Sequence, residues 1–183
     1  ESLIKENTKA IYLESPGTYT FEVIDIIKVM DICKKYELKS LIDNTWATAI
    51  YFNPFDFGVN VVIEAITKYI SGHSDIMMGV VLANNEDLVG IERWTKNAGV
   101  YVSPDDIFMS LRGLRTLPLR LKQSSYNSLK LAKFLESLKE VKYVMHPALT
   151  QHPDHKFWKR DFKGASGLFA VSYTHLTLPT ISR

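Results

Sequence analysis

The sequence predicts an α/β protein built on a sheet that is covered by helices on both faces. Three observations indicate this fold class: short β-branched apolar runs, helical periodicity between them, and turn residues at the junctions. Strand-like and helix-like segments alternate up to about residue 115, an order typical of layered α/β sheets.

The first strand and the first helix are predicted from apolar spacing. Ala10–Leu13 is a short apolar run closed by Ser-Pro-Gly, which indicates a strand that ends in a turn. From Thr20 onward, apolar residues recur at spacings of three and four, which predicts an amphipathic helix with Lys34 and Lys35 near its end. The residues on this apolar face are Val23, Ile26, Ile27, Met30 and Cys33.

Three further strands are predicted in the first half of the chain. "SLIDNTWA" is a short buried run that places Asp43 at the carboxyl end of its strand. "GVNVVIEAI" and "IMMGVVLAN" are rich in β-branched residues, which are enriched in strands. Lys68 comes shortly after the first of these two runs.

The second half of the chain begins with helical patterns. Residues 86–100 predict one helix, and Ser103 and Pro104 open a longer one as N-cap and first residue. Pro118 should kink or break that longer helix. "VKYVMHPAL" and "SGLFAVSY" then predict two strands of a new unit.

These patterns predict three regions. Residues 1–125 form the C-terminal part of a larger domain, residues 126–171 a truncated smaller domain with its linking helix, and residues 172–183 a threonine-rich tail unlike the rest. The chain begins at Glu1 in the middle of an element-like pattern. We therefore expect a fragment at both ends.

Composition narrows the functional classes. The chain has 183 residues, 46% hydrophobic and 23% charged, with a formal net charge of +2. This balance is ordinary for a globular protein and offers no basic stripe for nucleic acid or a membrane surface. A single cysteine, Cys33, excludes an internal disulfide framework and favours a reducing cytoplasm.

Asp43 and Lys68 are the chief candidates for chemistry. In an open α/β sheet, functional groups gather at the carboxyl ends of the strands, and both residues follow predicted strands. The plain alternatives are a salt bridge between the two or a solvated surface lysine. Position alone does not decide between these interpretations.

Other polar residues have structural interpretations. His73 and Asp75 in "GHSD" suit turn formation and hydrogen bonding beside Lys68. His146, His152 and His155 lie in a proline-containing loop, and a zinc site would need a fourth ligand and tighter spacing.

The motifs around Asp43 and Lys68 decide the interpretation. "LIDNTWA" followed by "AITKYISGHSD" resembles the Cys/Met metabolism family of pyridoxal-phosphate (PLP) enzymes. "SLRGLRTLPLR" and "HPDHKFWKRDFKGASGLFAV" extend the resemblance over roughly residues 10–171. It implies the fold-type I PLP-dependent transferase fold, similar to aspartate aminotransferase, with PLP as cofactor.

The resemblance also implies three site residues. Lys68 matches the lysine that binds the cofactor aldehyde covalently, and it must be available as a neutral amine, so we expect it to be buried. Asp43 matches the acid that keeps the pyridine nitrogen protonated. Thr67 matches a hydroxyl that binds the phosphate, whereas Ala65 lacks the second hydroxyl of many relatives.

Within the family, "LESPGTYTFEV" and "HKFWKRDF" are most similar to the cystathionine β-lyases, and the small Thr18 agrees with that group. This implies β-elimination from L-cystathionine or L-cysteine by a cytoplasmic homotetramer with no nucleic-acid or membrane partner. A γ-synthase, γ-lyase or sulfhydrylase remains open, as does a non-enzymatic protein-binding module. We expect the fragment alone to be inactive, because catalytic groups of the family would lie before Glu1 and beyond residue 171.

Overall fold

The fold was analysed in a computed structural model, which describes residues 1–174. The strands are β1 (Ala10–Glu14), β2 (Lys39–Asp43), β3 (Val61–Ala65), β4 (Gly79–Ala83), β5 (Val141–Met145) and β6 (Ala170–Tyr173). The helices are α1 (Ile26–Lys35), α2 (Thr48–Tyr51), α3 (Asn85–Asn97), α4 (Pro104–Leu114), α5 (Leu117–Glu136) and α6 (His155–Asp161), with a 3-10 helix at Pro54–Phe57. All six predicted strands are confirmed.

Strands β1 to β4 form one sheet in chain order, and β5 pairs with β6 in a second, antiparallel sheet. β1, β2 and β3 are parallel, so their carboxyl ends meet at one edge, where Glu14 lies beside Asp43. β4 runs antiparallel to β3. The predicted α/β class is confirmed, and this edge is where functional groups are expected.

Cover on the first sheet is uneven. On β2 and β3, Ser40, Ile42, Val62 and Glu64 are buried on one face. On the opposite face of these two strands only Val61 is buried, and the other residues are half-buried or exposed. β1 and β4 have no fully buried residue, and Tyr12 is 60% exposed. Within residues 1–174, the expectation of cover on both faces therefore holds fully for one face only.

The first helix begins later than predicted. α1 starts at Ile26, not Thr20, because the preceding backbone bonds to distant side chains instead of to a helical turn. The Val23 amide donates to Asp154 Oδ2 at 3.0 Å, and the Ile24 amide donates to Ser15 Oγ at 3.2 Å. Val23 is nevertheless buried in the core, as its apolar character predicts.

The predicted break near Pro118 is confirmed. α4 ends at Leu114, and Pro118 lies in the first turn of α5. Amides of a first turn have no partner within the helix, so the N–H that proline lacks is not needed there. Ser103 caps α4 as predicted, since its hydroxyl accepts from the Asp106 amide at 3.1 Å. The short helices α2 and α6 and the 3-10 helix have no counterpart in the sequence prediction.

The main core joins the sheet to a segment near the end of the chain. Ile42 and Val62 pack in one cluster with Phe52 and Phe162, and the two phenylalanine rings stack with centroids 4.4 Å apart. Phe162 belongs to the region predicted as the smaller domain, so that region packs directly against the sheet. A second cluster joins α5 to β5 through Ala132, Val144 and Leu149.

The proposed domain boundaries stay predictions. α5 continues through residue 125 without interruption, as expected of a linking helix. The predicted tail contributes Ser172 and Tyr173 to β6, and its residues 175–183 lie outside the described residues. No helix within residues 1–174 combines the length and apolar character needed to cross a bilayer.

Candidate active site

A cleft of about 1420 Å³ opens at the carboxyl edge of β2 and β3. Asp43, Thr67 and Lys68 all line it, so the structure brings together the three residues singled out from the sequence. Its other walls come from the turn after β1, from α5, and from the segment leading into β6.

Lys68 lies in a tight turn that follows β3. Its amide donates to the Ala65 carbonyl at 3.1 Å, and its carbonyl accepts from the Gly72 amide at 2.9 Å. The residue is exposed, so the expectation that it would be buried is wrong: the turn carries it beyond the strand and into the open cleft. No carboxylate of residues 1–174 lies within ion-pair distance of its amine.

Asp43 is half-buried at the end of β2. Its Oδ1 accepts from the Thr45 amide at 2.9 Å, and Thr45 Oγ1 in turn accepts from the Ala65 amide at 2.8 Å. The other carboxylate oxygen, Oδ2, accepts no hydrogen bond from the described part of the chain. Asp43 and Lys68 share the cleft without pairing, so the salt-bridge interpretation is wrong.

Thr67 is hydrogen-bonded on both sides of its hydroxyl. Oγ1 accepts from the Met78 amide at 2.9 Å and donates to the Met78 carbonyl at 3.2 Å. These bonds tie the Lys68 turn to the residue before β4. To donate to a phosphate, the hydroxyl would have to turn its proton away from Met78.

A buried carboxyl lies behind Asp43, on the opposite face of the sheet. Glu64 is 5% exposed, and its Oε1 accepts from Asn44 Nδ2 at 3.3 Å. Burial raises the pKa of Glu64 to about 7, against the lowering effect of hydrogen bonds from Asn44 and Ala49, while the charge of Asp43 raises it further. Glu64 is therefore partly protonated near neutral pH.

The histidines take structural contacts in the described residues. Nδ1 of His73 donates to the Ser71 carbonyl at 2.6 Å, which closes a turn after Lys68. His146 is fully buried, and burial lowers its pKa to about 4. His155 Nδ1 donates to the Pro147 carbonyl at 3.0 Å. Residues 1–174 contain no group of three His, Cys, Asp or Glu side chains arranged to hold a metal.

Sequence reasoning missed three residues that shape the cleft. Arg120 reaches from α5 to the backbone of the Lys68 turn, and Tyr69 Oη accepts from the Gly167 amide at 2.8 Å. Trp46 Nε1 donates to the Leu168 carbonyl, also at 2.8 Å. Their partners are backbone groups far away in the chain, so no local sequence pattern predicts these contacts. The available signal was the position of Tyr69 and Trp46 inside the two quoted motifs.

Comparison with known proteins decides the family. The family described as Cys/Met metabolism PLP-dependent enzyme matches residues 1–178. The chain belongs to this family. Its members are PLP-dependent, so PLP is the cofactor of the Cys/Met metabolism enzymes to which this chain is related.

Relatives in the Cys/Met metabolism family differ in activity. The chain is 40% identical over 185 residues to cystathionine beta-lyase of Haemophilus influenzae, covering 100% of this chain and 47% of the relative. It is 41% identical over 170 residues to L-alanine/L-glutamate racemase of Wolbachia pipientis wMel, covering 93% of this chain and 42% of the racemase. The chain thus spans less than half the length of these relatives.

Solved structures of the family share the fold. Cystathionine gamma synthase from Xanthomonas oryzae pv. oryzae, in complex with cystathionine, superimposes with a TM-score of 0.88 at 33% identity. The similarity covers 91% of this chain and 43% of that one. The fold-type I architecture expected from the sequence is confirmed.

The described residues fit PLP at two of three predicted points. Lys68 presents an amine without an ion-pair partner, and Asp43 presents an unpartnered carboxylate oxygen in the same cleft. These are the groups that an aldehyde and a protonated pyridine nitrogen need. Thr67 fits less directly, because its hydroxyl is occupied by Met78.

Proposed function

We propose that the full-length protein containing this chain is a cystathionine β-lyase, a PLP-dependent carbon–sulfur lyase. The observation that carries this proposal is the unpaired placement of Lys68 and Asp43 in one cleft of a Cys/Met metabolism family member. Neither charge is neutralised by the other within residues 1–174. Their separation leaves each available to another molecule.

Lys68 is the proposed catalytic residue. Its Nζ would hold the aldehyde of bound PLP, and as a free amine it would take the proton from the substrate Cα. The amine opens into the cleft, and no carboxylate of residues 1–174 has to be displaced before it reaches the substrate. The same amine then returns a proton as the reaction completes.

Asp43 is the proposed partner of the cofactor nitrogen. Its Oδ1 accepts a hydrogen bond from the Thr45 amide at 2.9 Å, which orients the carboxylate. Oδ2 is then free to accept a hydrogen bond from the protonated pyridine nitrogen. Bound PLP supplies the electron sink that makes the substrate Cα proton acidic. Thr67 is the proposed phosphate contact. To donate to a phosphate, its hydroxyl must give up the hydrogen bond that it donates to the Met78 carbonyl.

The overall reaction breaks the Cβ–S bond of L-cystathionine. The sulfur gains a proton and leaves as part of homocysteine. The remaining three-carbon fragment reacts with one water, so that its carbons become pyruvate and its amino group becomes ammonia. L-Cysteine is a second proposed substrate, since it carries the same Cβ–S bond. Thr18, whose hydroxyl donates to Glu14 Oε1 at 2.6 Å in the cleft wall, supports the β-lyase proposal as a small residue.

The test is a product assay on the full-length protein. L-Cystathionine is supplied with PLP, and pyruvate is measured against 2-oxobutyrate; we expect pyruvate as the main keto acid. A Lys68→Ala protein should form neither product above background. A main product of 2-oxobutyrate would replace this proposal with a γ-lyase.

Two other activities have specific support, and each is tested by an assay of its own product. The similarity to a γ-synthase structure favours replacement at Cγ, which a cosubstrate-dependent formation of cystathionine would reveal. The 41% identity to a racemase favours proton transfer at Cα alone. Formation of D-alanine from L-alanine without pyruvate from cystathionine would support the racemase.

We also propose that the full-length protein is a cytoplasmic homotetramer that binds neither nucleic acid nor membranes. Large apolar side chains are exposed around α4, including Phe108 at 65% and Leu111 at 55%, which suits burial between subunits. Light scattering coupled to size-exclusion chromatography measures the subunit number, and a monomeric mass would reject the tetramer.

A further inference from the structure

Arg120 joins α5 to the two residues that follow Lys68. Its Nη1 donates to the Tyr69 carbonyl at 2.6 Å, and its Nη2 donates to the Ile70 carbonyl at 3.0 Å. Nη2 also donates to the Gly113 carbonyl at 2.8 Å, and Nε donates to Thr116 Oγ1 at 3.0 Å. One guanidinium thus links the Lys68 turn, the end of α4 and the start of α5.

The charge of Arg120 is satisfied by dipoles rather than by an acid. No carboxylate within residues 1–174 forms an ion pair with it, although the side chain is half-buried. Burial lowers the pKa of Arg120, and a guanidinium remains charged in proteins even so. The planar guanidinium has donors that point in fixed, separate directions, which lets it bind carbonyls on two segments at once.

Two glycines make room for this arrangement. A Cβ at Gly113 would lie 2.5 Å from the carbonyl oxygens of Ile70 and Ser71, so α4 can approach the turn only through a glycine. Gly72 has φ +72°, a left-handed conformation that glycine adopts without strain, and a Cβ there would overlap the Arg120 guanidinium. The backbone after Lys68 is therefore fixed on both sides.

Tyr69 is held at both of its ends. Arg120 holds its carbonyl, and the Gly167 amide donates to its hydroxyl at 2.8 Å. Arg120 holds the carbonyl of the Tyr69–Ile70 peptide, which begins one residue after Lys68. This restrains the backbone next to Lys68 and so the direction of its side chain.

We propose that Arg120 is a positioning residue for Lys68: its guanidinium fixes the carbonyls after Lys68 and thereby the direction in which the Lys68 amine enters the cleft. This inference rests on the proposed role of Lys68. Arg120 lines the same cleft, but its hydrogen bonds go to three backbone carbonyls and to the Thr116 hydroxyl, not to Lys68, Asp43 or Thr67.

The test uses the full-length holoenzyme with Arg120→Gln and Arg120→Lys. We expect kcat to fall by on the order of 10²-fold, because displacing a reacting group by about 1 Å costs that much. KM should stay within about twofold, since Arg120 makes no proposed substrate contact. Arg120→Lys should restore kcat only in part, because three donors on one nitrogen cannot reproduce four hydrogen bonds that leave from three guanidinium nitrogens.

Hydrogen exchange of the PLP-free protein gives a readout independent of activity. The amides of Ser71 and Gly72 donate to Ile66 and Lys68 within the turn, and they should exchange faster in both variants. Lys122→Gln is the matched control, since it removes a charge from an exposed residue of α5. It should leave kcat and the exchange rates of these amides unchanged.

Chemical rescue keeps the inference falsifiable if the substitutions lower stability. Millimolar guanidinium added to Arg120→Ala should recover part of kcat, which a purely global loss of folding would not allow. If both Arg120→Gln and Arg120→Lys keep the parent kcat and exchange rates, the inference is overturned. That result would leave the proposed lyase activity intact, whereas a parent enzyme with no lyase activity would overturn the proposed function itself.

Discussion

Asp43 and Lys68 line the same cleft but do not form an ion pair. The Thr45 amide holds one carboxylate oxygen of Asp43, and the turn after β3 carries Lys68 away from the strand end. Opposite charges near one another gain energy by pairing unless the backbone keeps them apart. This separation is the structural basis for assigning each residue a different part of the cofactor.

The acid can be tested by Asp43→Asn in the full-length protein. The amide oxygen can still accept from the Thr45 amide, so the fold should survive while the negative charge is lost. Removing a hydrogen bond to a charged group costs about 1.5–3 kcal/mol, which lowers affinity for PLP about 10- to 150-fold. Equilibrium titration with PLP measures this.

The matched control is Asp31→Asn, which removes a charge from an exposed position on α1. It should bind PLP like the parent protein. Equal PLP affinity for Asp43→Asn and the parent would contradict the assigned role of Asp43.

Glu64 should make stability fall as pH rises toward neutrality. Its pKa is about 7 in the folded protein against an ordinary 4.5, so between these values the folded state holds a proton that the unfolded state has lost. The contribution of the Glu64 proton to stability is therefore fully present below pH 4.5 and declines through pH 7, by up to about 3 kcal/mol. Glu64→Gln should melt at a higher temperature than the parent at pH 8, and this difference should shrink toward pH 5.

Melting temperatures of the parent and Glu64→Gln at four pH values between 5 and 8 check this prediction. Glu136→Gln, an exposed position at the end of α5, is the control and should show no pH-dependent difference. A constant offset between Glu64→Gln and the parent would mean that Glu64 does not titrate in this range.

His146 should act in the opposite direction. Its Nδ1 accepts from the Ala148 amide at 3.2 Å, so Nε2 carries the proton and donates to Ser128 Oγ at 3.3 Å. With a folded pKa of about 4 against 6.5, the unfolded state binds the extra proton first as pH falls. Stability is therefore lost from pH 6.5 downward, by up to about 3 kcal/mol.

His146→Gln removes this titration. Whatever the stability of the variant at pH 7.5, its free energy of unfolding should rise relative to that of the parent as pH falls from 6.5 to 4.5. Denaturant unfolding of both proteins across this range measures the difference, and parallel curves would contradict the assignment.

Much of the fold follows from local patterns. The β-branched runs around Ile42 and Val62 predict buried strands, and Ser103 with Pro104 predicts the start of α4. Strand direction does not follow, because alternation is the same in a parallel and an antiparallel strand, so the reversal of β4 had no sequence signal. The start of α1 also depended on tertiary structure, since Asp154 binds the Val23 amide from a distant segment.

The candidate site divides in the same way. Lys68, Asp43 and Thr67 lie in contiguous motifs, and the cleft brings them together. Arg120 escaped prediction because its partners are backbone carbonyls, which every residue has, about fifty positions away along the chain. The exposure of Lys68 also could not be foreseen, since it depends on the turn geometry after β3.

The most direct test of the central claim is to locate the nitrogen that bonds to PLP. The full-length protein is incubated with PLP, reduced with borohydride, digested, and mapped by mass spectrometry for the pyridoxyl mass. The tag is predicted on Lys68 alone and should be absent from Lys68→Ala. A tag on a different lysine of the parent, with Lys68 unmodified, would contradict the account.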